Sequence, residues 1–528
     1  MIRIFLFTAT LLLSVQYACA QSLQSTHLVQ KELEKAEKKE WHNFYIKGDK
    51  VYGTGSNKTY EEILTSKKPG KKVVVAIIDS GVDTEHEDLS ESIWVNEDEI
   101  PENGRDDDGN GFIDDVHGWN FLVDANGNDI GYDNLEATRV LRLSKELETS
   151  GEPYPEWLTK EMMERSAEIY NKQKQEMMSM RQFSLAWKIV DSTAKATLNK
   201  DEYSYDEAIA MEGNDNEDIS NAKQMFEVFK SFNIQVSDLN QMYDAYYKME
   251  NHYLNLAFDP REGFDRSQKY YGNNHYKGEH SEHGTHVAGI VAATRDNEFE
   301  AQGIASDVVE IMVLRAVPDG DERDIDVANA IRYAADNGAD IINMSFGKGV
   351  SPYKELVYEA LEYAAEKGVL SIHAAGNDAS NNDEITNYPN NSELSEKGKS
   401  AYLTIGALSP QKNKKMIASF SNYGEASVDL FAPGQDIYST LPDNEYGFRS
   451  GTSMAAPAAT GVAALVWAYN PDLSAAELKA VLIENGIDIG RKRIILPGTK
   501  KSKARFRTIC RTGKVISAYD AINATIRD

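Results

Sequence analysis

The sequence predicts an α/β fold: a three-layer, doubly wound, mainly parallel sheet with helices on both faces, interrupted by a helical insertion. Three stretches carry this reading. Val73–Ile78 is a run of six apolar residues, mostly β-branched, as in strands buried on both faces of a parallel sheet. His283–Ala293 reads as a helix entered from a polar loop, with small residues that permit close packing. Met454 to about Tyr469 reads as a second helix, preceded by the turn Gly451-Thr452-Ser453.

In chain order, residues 1–20 come first. They hold one cation, Arg3, then the apolar run Ile4–Val15, then Ala18-Cys19-Ala20. That is the pattern of a secretory signal peptide cleaved before Gln21, and its apolar run is too short to span a membrane. A lipoprotein reading through Cys19 is disfavoured by Gln16, which stands where an aliphatic residue is expected. Residues 21–70 are polar, with Trp41, Tyr45 and Val51-Tyr52 expected to pack on the main domain. The strand Val73–Ile78 then ends abruptly in Asp79, at the carboxyl end of the sheet where open α/β folds place ligands.

Asp106–Asp115 follows the first half of an EF-hand-type loop. Asp106, Asp108 and Asn110 fall at positions one, three and five, Gly111 at the sharp turn, Phe112 at the backbone-ligand position and Asp114 at position nine. Ile113 fits the apolar position. His117 stands where the bidentate Glu belongs, so the last ligand must come from elsewhere, Asp115 or a distant residue. Hard oxygen donors in this alternation suit Ca²⁺ rather than zinc. The competing reading is a solvated acidic turn.

Residues 125–270 are rich in Glu, Lys, Met, Tyr and Ala, with helical runs near 135–148, 159–198, 219–232 and 237–256. We read them as a helical insertion. Its role is either a stabilising decoration or a device that restricts access or docks a substrate. Near the C-terminus, Ser474-Ala475-Ala476-Glu477 is a capping box opening a helix to about Glu484, and the basic stretch Arg491–Arg511 reads as a solvated hairpin or loop.

The chemistry lies in three residues. Ser453 sits at a helix start, where unpaired N–H groups and a partial positive charge favour developing negative charge. His283 can take its proton, and Asp79 can fix the tautomer of His283 and stabilise its imidazolium. Each has a bland reading alone: Asp79 a turn cap, His283 a surface histidine, Ser453 a helix N-cap. Jointly, in the order Asp79…His283…Ser453, the segments resemble the subtilisin-like serine proteases, or subtilases. The resemblance runs from about Val73 to Asp124 and from about Tyr271 to the C-terminus.

That resemblance implies further roles. Ser371–Asn377 is similar to the strand ending in the family's oxyanion-hole asparagine, which assigns Asn377. Ile341–Gly347 resembles the substrate-binding strand, assigning Ser345, Phe346 and Gly347. Leu314–Val317 resembles the facing strand, assigning Leu314. Ala374 and Gly376, with the loop at Asn387-Tyr388-Pro389, would wall the first specificity pocket. Family habit suggests a large apolar residue before the scissile bond, and Asp378 would admit a basic one. His286 is expected to be structural, and Met454 an oxidation-sensitive neighbour of the nucleophile. The implied organisation is a signal peptide (1–20), an N-terminal segment (21–70) too short for a full prodomain, a subtilisin-like catalytic domain (71–124 and 271–528) and the insertion (125–270). The expected function is an exported serine endopeptidase, with a catalytically silent peptide-binding protein or a narrow-specificity processing protease as alternatives. No cofactor is expected for catalysis, and a structural Ca²⁺ is.

Composition sets limits on partners. The 528 residues include 84 acidic and 56 basic ones, a formal charge of −28. Cleavage before Gln21 removes the cation Arg3 and no acid, so −28 becomes −29. This opposes nucleic-acid binding and favours solubility, while protein or peptide substrates are what the resemblance implies. Of the two cysteines, Cys19 leaves with the signal peptide and Cys510 remains alone. A chain exported without a disulfide needs stability from another source, and bound calcium is one.

Overall fold

The computed structural model describes residues 35–526 apart from 214, 266, 267, 269 and 298. The predicted signal peptide lies outside the described residues. The chain divides into two compact units: one helical, within Ala137–Asp259, and one α/β, comprising the described residues up to Glu136 and from Pro260 onward.

The α/β unit is built on seven principal strands: β1 Val73–Asp79, β2 Gly118–Asn120, β3 Val309–Arg315, β4 Ile341–Met344, β5 Leu370–Ala374, β6 Tyr402–Leu408 and β7 Leu430–Pro433. They lie in the order β7-β6-β5-β4-β1-β3-β2, all pairs parallel. Lys514–Val515 extends the sheet beside β7, and Ile487–Asp488 closes that edge antiparallel. After β1 the chain lays β2 at the edge and β3 between β2 and β1, then crosses to the other side of β1 for β4, so strand order reverses beside β1. The carboxyl end of a strand at such a reversal opens into a crevice, and Asp79 is the last residue of β1.

The period-two alternation of β1 splits the core. Val73, Val75 and Ile77 pack into one apolar cluster, while Ala76 and Ile78 pack into the other. The first cluster is covered by helices Glu282–Ala292 and Thr452–Tyr469, the second by Asp324–Asp336 and Lys354–Glu366. This makes three layers, and it puts the helices bearing His283 and Ser453 on the same face. The observed helices match the predicted 283–293 and 454–469 with end shifts of one or two residues.

In the N-terminal segment, Trp41 and Tyr45 are fully buried. The Trp41 indole donates to the Asp436 carbonyl at 3.0 Å and the Tyr45 hydroxyl to Asp520 at 3.0 Å. The capping box at Ser474 forms, with Ser474 N donating to Glu477 Oε2 at 2.9 Å. The basic stretch holds an antiparallel hairpin, Arg493–Ile495 with Lys503–Arg505. It is not wholly solvated: Ile494 and Phe506 are buried in the main core.

The helical unit contains Lys160–Leu198, Tyr205–Ile209, Glu217–Ser231 and Val236–Lys248, around a core of Phe183, Trp187, Phe226 and Phe229. Thr159 caps the long helix by accepting from Met162 N, and Asn199 ends it in a left-handed conformation. The short helix Tyr205–Ile209 carries too few periodic positions to be legible in the sequence. Residues 125–136 and 260–270 belong to the α/β unit. One reason is Arg261, which places two N–H groups on Asp326 at 3.0 and 2.8 Å with both side chains fully buried.

Candidate active site

The site begins at the end of β1. Asp79 is buried, and its Oδ1 accepts from Ser80 N at 2.8 Å and from His283 Nδ1 at 2.7 Å. A carboxylate can only accept, so the His283 proton is on Nδ1 and Nε2 is left as a base. The histidine helix is fastened to the turn after β1. Gly284 N donates to Ser80 Oγ at 3.2 Å, and Asp83 N donates to Thr285 Oγ1 at 3.0 Å. His286, on the same helix, is fully buried. Its Nε2 lies 3.1 Å from the carbonyls of both Ile437 and Gly447, and burial pushes its pKa down to about 3, so it is neutral and structural.

Ser453 lies in the first turn of Thr452–Tyr469. That helix carries Pro457, which has no N–H to donate to the Ser453 carbonyl four residues earlier. Ser345 Oγ donates to that carbonyl instead, at 2.9 Å. Ser345 Oγ in turn accepts from Asn343 Nδ2 at 2.9 Å, and Asn343 Oδ1 accepts from Thr460 Oγ1 at 3.0 Å. The predicted substrate strand is thereby tied to the backbone of the predicted nucleophile. The buried side chain of Met454 follows directly.

Asn377 is anchored through its oxygen, which accepts from Thr452 N at 2.8 Å and Thr452 Oγ1 at 3.0 Å. This turns its Nδ2 toward the start of the serine helix. A methyl group placed on Gly451 would stand 3.5 Å from Ser453 N and 3.6 Å from Asn377 Nδ2, so both donors border one small volume. The loop that presents Asn377 needs Gly376: its φ is +105°, and a side chain there would collide with Asn422. Asn422 holds the loop by accepting from Asp378 N and Ser380 N, both at 2.9 Å, and by donating to Ala375 O at 3.1 Å.

Ser345, Phe346 and Gly347 continue β4 beyond its last pairing with β1, Ile78 opposite Met344. Among the described residues no strand pairs with them. The Phe346 carbonyl accepts from His373 Nε2 at 2.8 Å, and Gly347 is exposed. Burial pushes the His373 pKa down to about 4, which keeps this donor neutral. Asn387 Nδ2 donates to Ala375 O at 3.2 Å and closes against Gly347, so Asn387 of the 387–389 loop contacts the Ala374–Gly376 segment. Leu314 does not fit its predicted role. It is fully buried, paired with Ile78 on one edge and Trp119 on the other, and has no free backbone edge for a substrate.

Arg315, the next residue, lies in the same stretch that resembles the facing strand, and its side chain is buried. It stands opposite Asp79 in the sheet, and its buried guanidinium donates to Ser80 O at 3.2 Å and to Ile130 O at 3.0 Å. Burial pulls its pKa below the usual guanidinium range, against the pull of Asp129 and Glu279. These contacts are revealed only by the neighbouring sheet position, because Ser80 and Ile130 lie far from Arg315 in sequence.

The acidic loop is organised about Asp106. Its Oδ1 accepts from Gly109 N at 2.7 Å and Asn110 N at 3.1 Å, and its Oδ2 from Gly111 N at 2.9 Å. Carboxylate oxygens of Glu99, Asp106 and Asp108 lie within 4.8 Å of one another, a spacing that suits a cation. Glu99, seven residues before the loop, thus stands with the loop acids. Asp114 takes another part: φ is +54°, and its carboxylate accepts from Asn103 N and Gly104 N. Asp115 is likewise occupied, by Asn96, Asn110 and Tyr333. Asn110 donates to Asp108 and accepts from Phe112 N. Ile113 is 49% exposed, while the Phe112 ring packs edge-on against Trp119 and Tyr333.

With this geometry in place, the sequence profile of the subtilase family matches residues 70–505. The chain belongs to the subtilase family. Over 227 residues this subtilase is 38% identical to the cell wall-associated protease of Bacillus subtilis (strain 168), covering 43% of this chain and 23% of that protein. It is 40% identical over 186 residues to the thermophilic serine proteinase of Bacillus sp. (strain AK1), covering 35% and 42%. It is 37% identical over 243 residues to thermitase of Thermoactinomyces vulgaris, covering 46% and 74%. The chain thus spans less than half the length of the first two relatives.

Proposed function

We propose that this subtilase is a serine endopeptidase that cleaves proteins or peptides through an acyl-enzyme. Ser453 attacks the scissile carbonyl. His283 takes the Ser453 proton and returns it to the leaving amine, and Asp79 holds the ring and stabilises its charged form. Asn377 Nδ2 and Ser453 N–H receive the oxyanion. Ser345–Gly347 pairs with an extended substrate backbone. The observation that carries this reading is the 2.7 Å bond from His283 Nδ1 to the buried Asp79, at the carboxyl end of the central strand. The chemistry needs no cofactor. The Glu99, Asp106 and Asp108 carboxylates would hold a calcium ion whose contribution is to stability. Residues 1–20 would direct export. No helix among the described residues is long and apolar enough to cross a membrane.

The test is labelling by an activated aryl phosphonate, followed by mass spectrometry. The wild type is expected to take up one label on Ser453, and Ser453→Ala none. Asp79→Asn is expected to lower kcat by about 10⁴ through loss of the correct His283 tautomer. A wild type that stays unlabelled while folded would leave a peptide-binding protein as the better reading. Cleavage of a peptide library at one narrow motif would favour a processing protease.

A further inference from the structure

The edge Ser345–Gly347 is followed at once by a buried lysine. Lys348 is 4% exposed. Its Nζ meets Glu136 Oε2 at 2.7 Å, Asp324 Oδ1 at 2.8 Å and the Glu322 carbonyl at 2.7 Å. An ammonium has three protons, and three acceptors surround it. Asp324 is fixed in turn. It accepts from Ser351 Oγ at 2.7 Å and Tyr353 N at 2.8 Å, and it stands in the first turn of Asp324–Asp336, where negative charge is favoured. The backbone of Lys348 is held as well: it donates to Tyr388 O at 3.1 Å and accepts from Tyr388 N at 2.9 Å. The residue after Gly347 is therefore clamped to a helix by its side chain and to the Asn387 loop by its backbone.

This cluster is either a subsite or a brace. The cavity bounded by Glu322, Asp324, Phe346, Lys348 and Tyr388 has a volume of about 10 Å³, room for one water and no substrate side chain. Stability alone accounts for the cluster poorly, because desolvating buried charges offsets most of their attraction and apolar replacements are often as stable. A saturated ammonium does supply a fixed geometry.

We infer that Lys348 is a positioning residue for the substrate: it holds Ser345–Gly347 in the extended register that pairs with substrate residues on the amino side of the scissile bond. This rests on the endopeptidase reading. A substrate long enough to reach Gly347 depends on the brace, and one with a single residue before the scissile bond does not.

Lys348→Met is assayed on a single-residue activated ester and on a six-residue peptide, with active enzyme counted by phosphonate titration. For the long substrate KM is expected to rise roughly tenfold with kcat within about twofold, the signature of lost uniform binding. The ester should be turned over as by wild type, and Lys348→Arg should recover part of the long-substrate KM. Equal losses on both substrates, or no loss on either, overturn the inference. If Lys348→Met yields no titratable protein, Glu136→Gln is judged by the same ratio of long to short substrate. Wild-type protein that neither takes the phosphonate nor cleaves either substrate would fail the endopeptidase reading instead.

Discussion

Gly284 lies directly against Gly81: a methyl group on Gly284 would sit far inside van der Waals contact with the Gly81 carbonyl oxygen. That oxygen is backbone and cannot rotate away, so the histidine helix or the turn after Asp79 must move. Gly284→Ala therefore separates two effects of opposite sign. Helix propensity alone would stabilise the variant by about 1 kcal/mol. Overpacking costs about 1–3 kcal/mol, and a shift of about 1 Å at the site can cost 10²-fold in rate. The expected outcome is a lower melting temperature together with a fall in kcat/KM on the order of 10²-fold. Unchanged kinetics with a raised melting temperature would show that the approach is slack.

The bond from Ser345 Oγ to the Ser453 carbonyl substitutes for an N–H that Pro457 lacks. Ser345→Ala leaves that carbonyl without this donor, at a cost of about 1–3 kcal/mol if it stays dry. Pro457→Ala restores an N–H at the helical position. The double variant Ser345→Ala/Pro457→Ala should recover part of the stability and kcat lost in the single Ser345 variant, a favourable coupling in a double-mutant cycle. Strict additivity in urea melts and kinetics would remove the compensation argument.

Asn377 accepts from Thr452 through its oxygen, and the proposed mechanism gives its Nδ2 the separate duty of donor. Asn377→Asp keeps an oxygen for Thr452 and removes the Nδ2 donor. In this family loss of such a donor costs about 10²–10³ in kcat, so a drop of that size with KM little changed is expected. The comparison with Asn377→Ala, which also frees Thr452, isolates the anchoring contribution. A variant whose loss falls mainly on KM would argue for a substrate-binding role.

Much of this site was legible because its motifs are local. Val73–Asp79, His283–Ala293 and Gly451–Tyr469 each carry periodicity and a functional residue in one continuous segment, so strand, helix and chemistry emerge together. The helical runs of the insertion were legible for the same reason. Leu314 misled because a resemblance along the chain does not say which strand edges are already paired. Asn422, Lys348 and the contacts of Arg315 escaped because the partners lie far away in sequence: Lys348 meets Glu136, 212 positions distant. Glu99 escaped because loop spacing looks forward from Asp106, and this acid returns from the preceding turn.

Calcium should act on stability and not on chemistry. With calcium at about a hundred times its Kd, binding to the folded state adds about 2.7 kcal/mol. Chelation should therefore lower the melting temperature while initial rates at 25 °C stay unchanged. Glu99→Gln and Asp108→Asn should reduce the calcium-dependent increment, and Asp114→Asn should leave the increment itself intact. Magnesium, which demands a tighter octahedral shell, should restore less. A melting temperature indifferent to calcium in the wild type would remove the ion from the account.

Glu322 predicts the direction of a pH effect. It is buried, and desolvation pushes its pKa up to about 8 from 4.5, with Asp321 and Asp324 adding to the shift and Lys348 opposing it. The folded state thus binds a proton that the unfolded chain has already released between about pH 4.5 and 8. Stability from this group is complete below pH 4.5 and is lost as pH rises toward 8. Glu322→Gln is neutral at every pH and should flatten that slope. Relative to wild type the variant should gain stability from pH 5 to pH 9, measured as the change in urea midpoint. Parallel pH curves for the two proteins would mean that the buried carboxyl is charged in the folded state, balanced by Lys348.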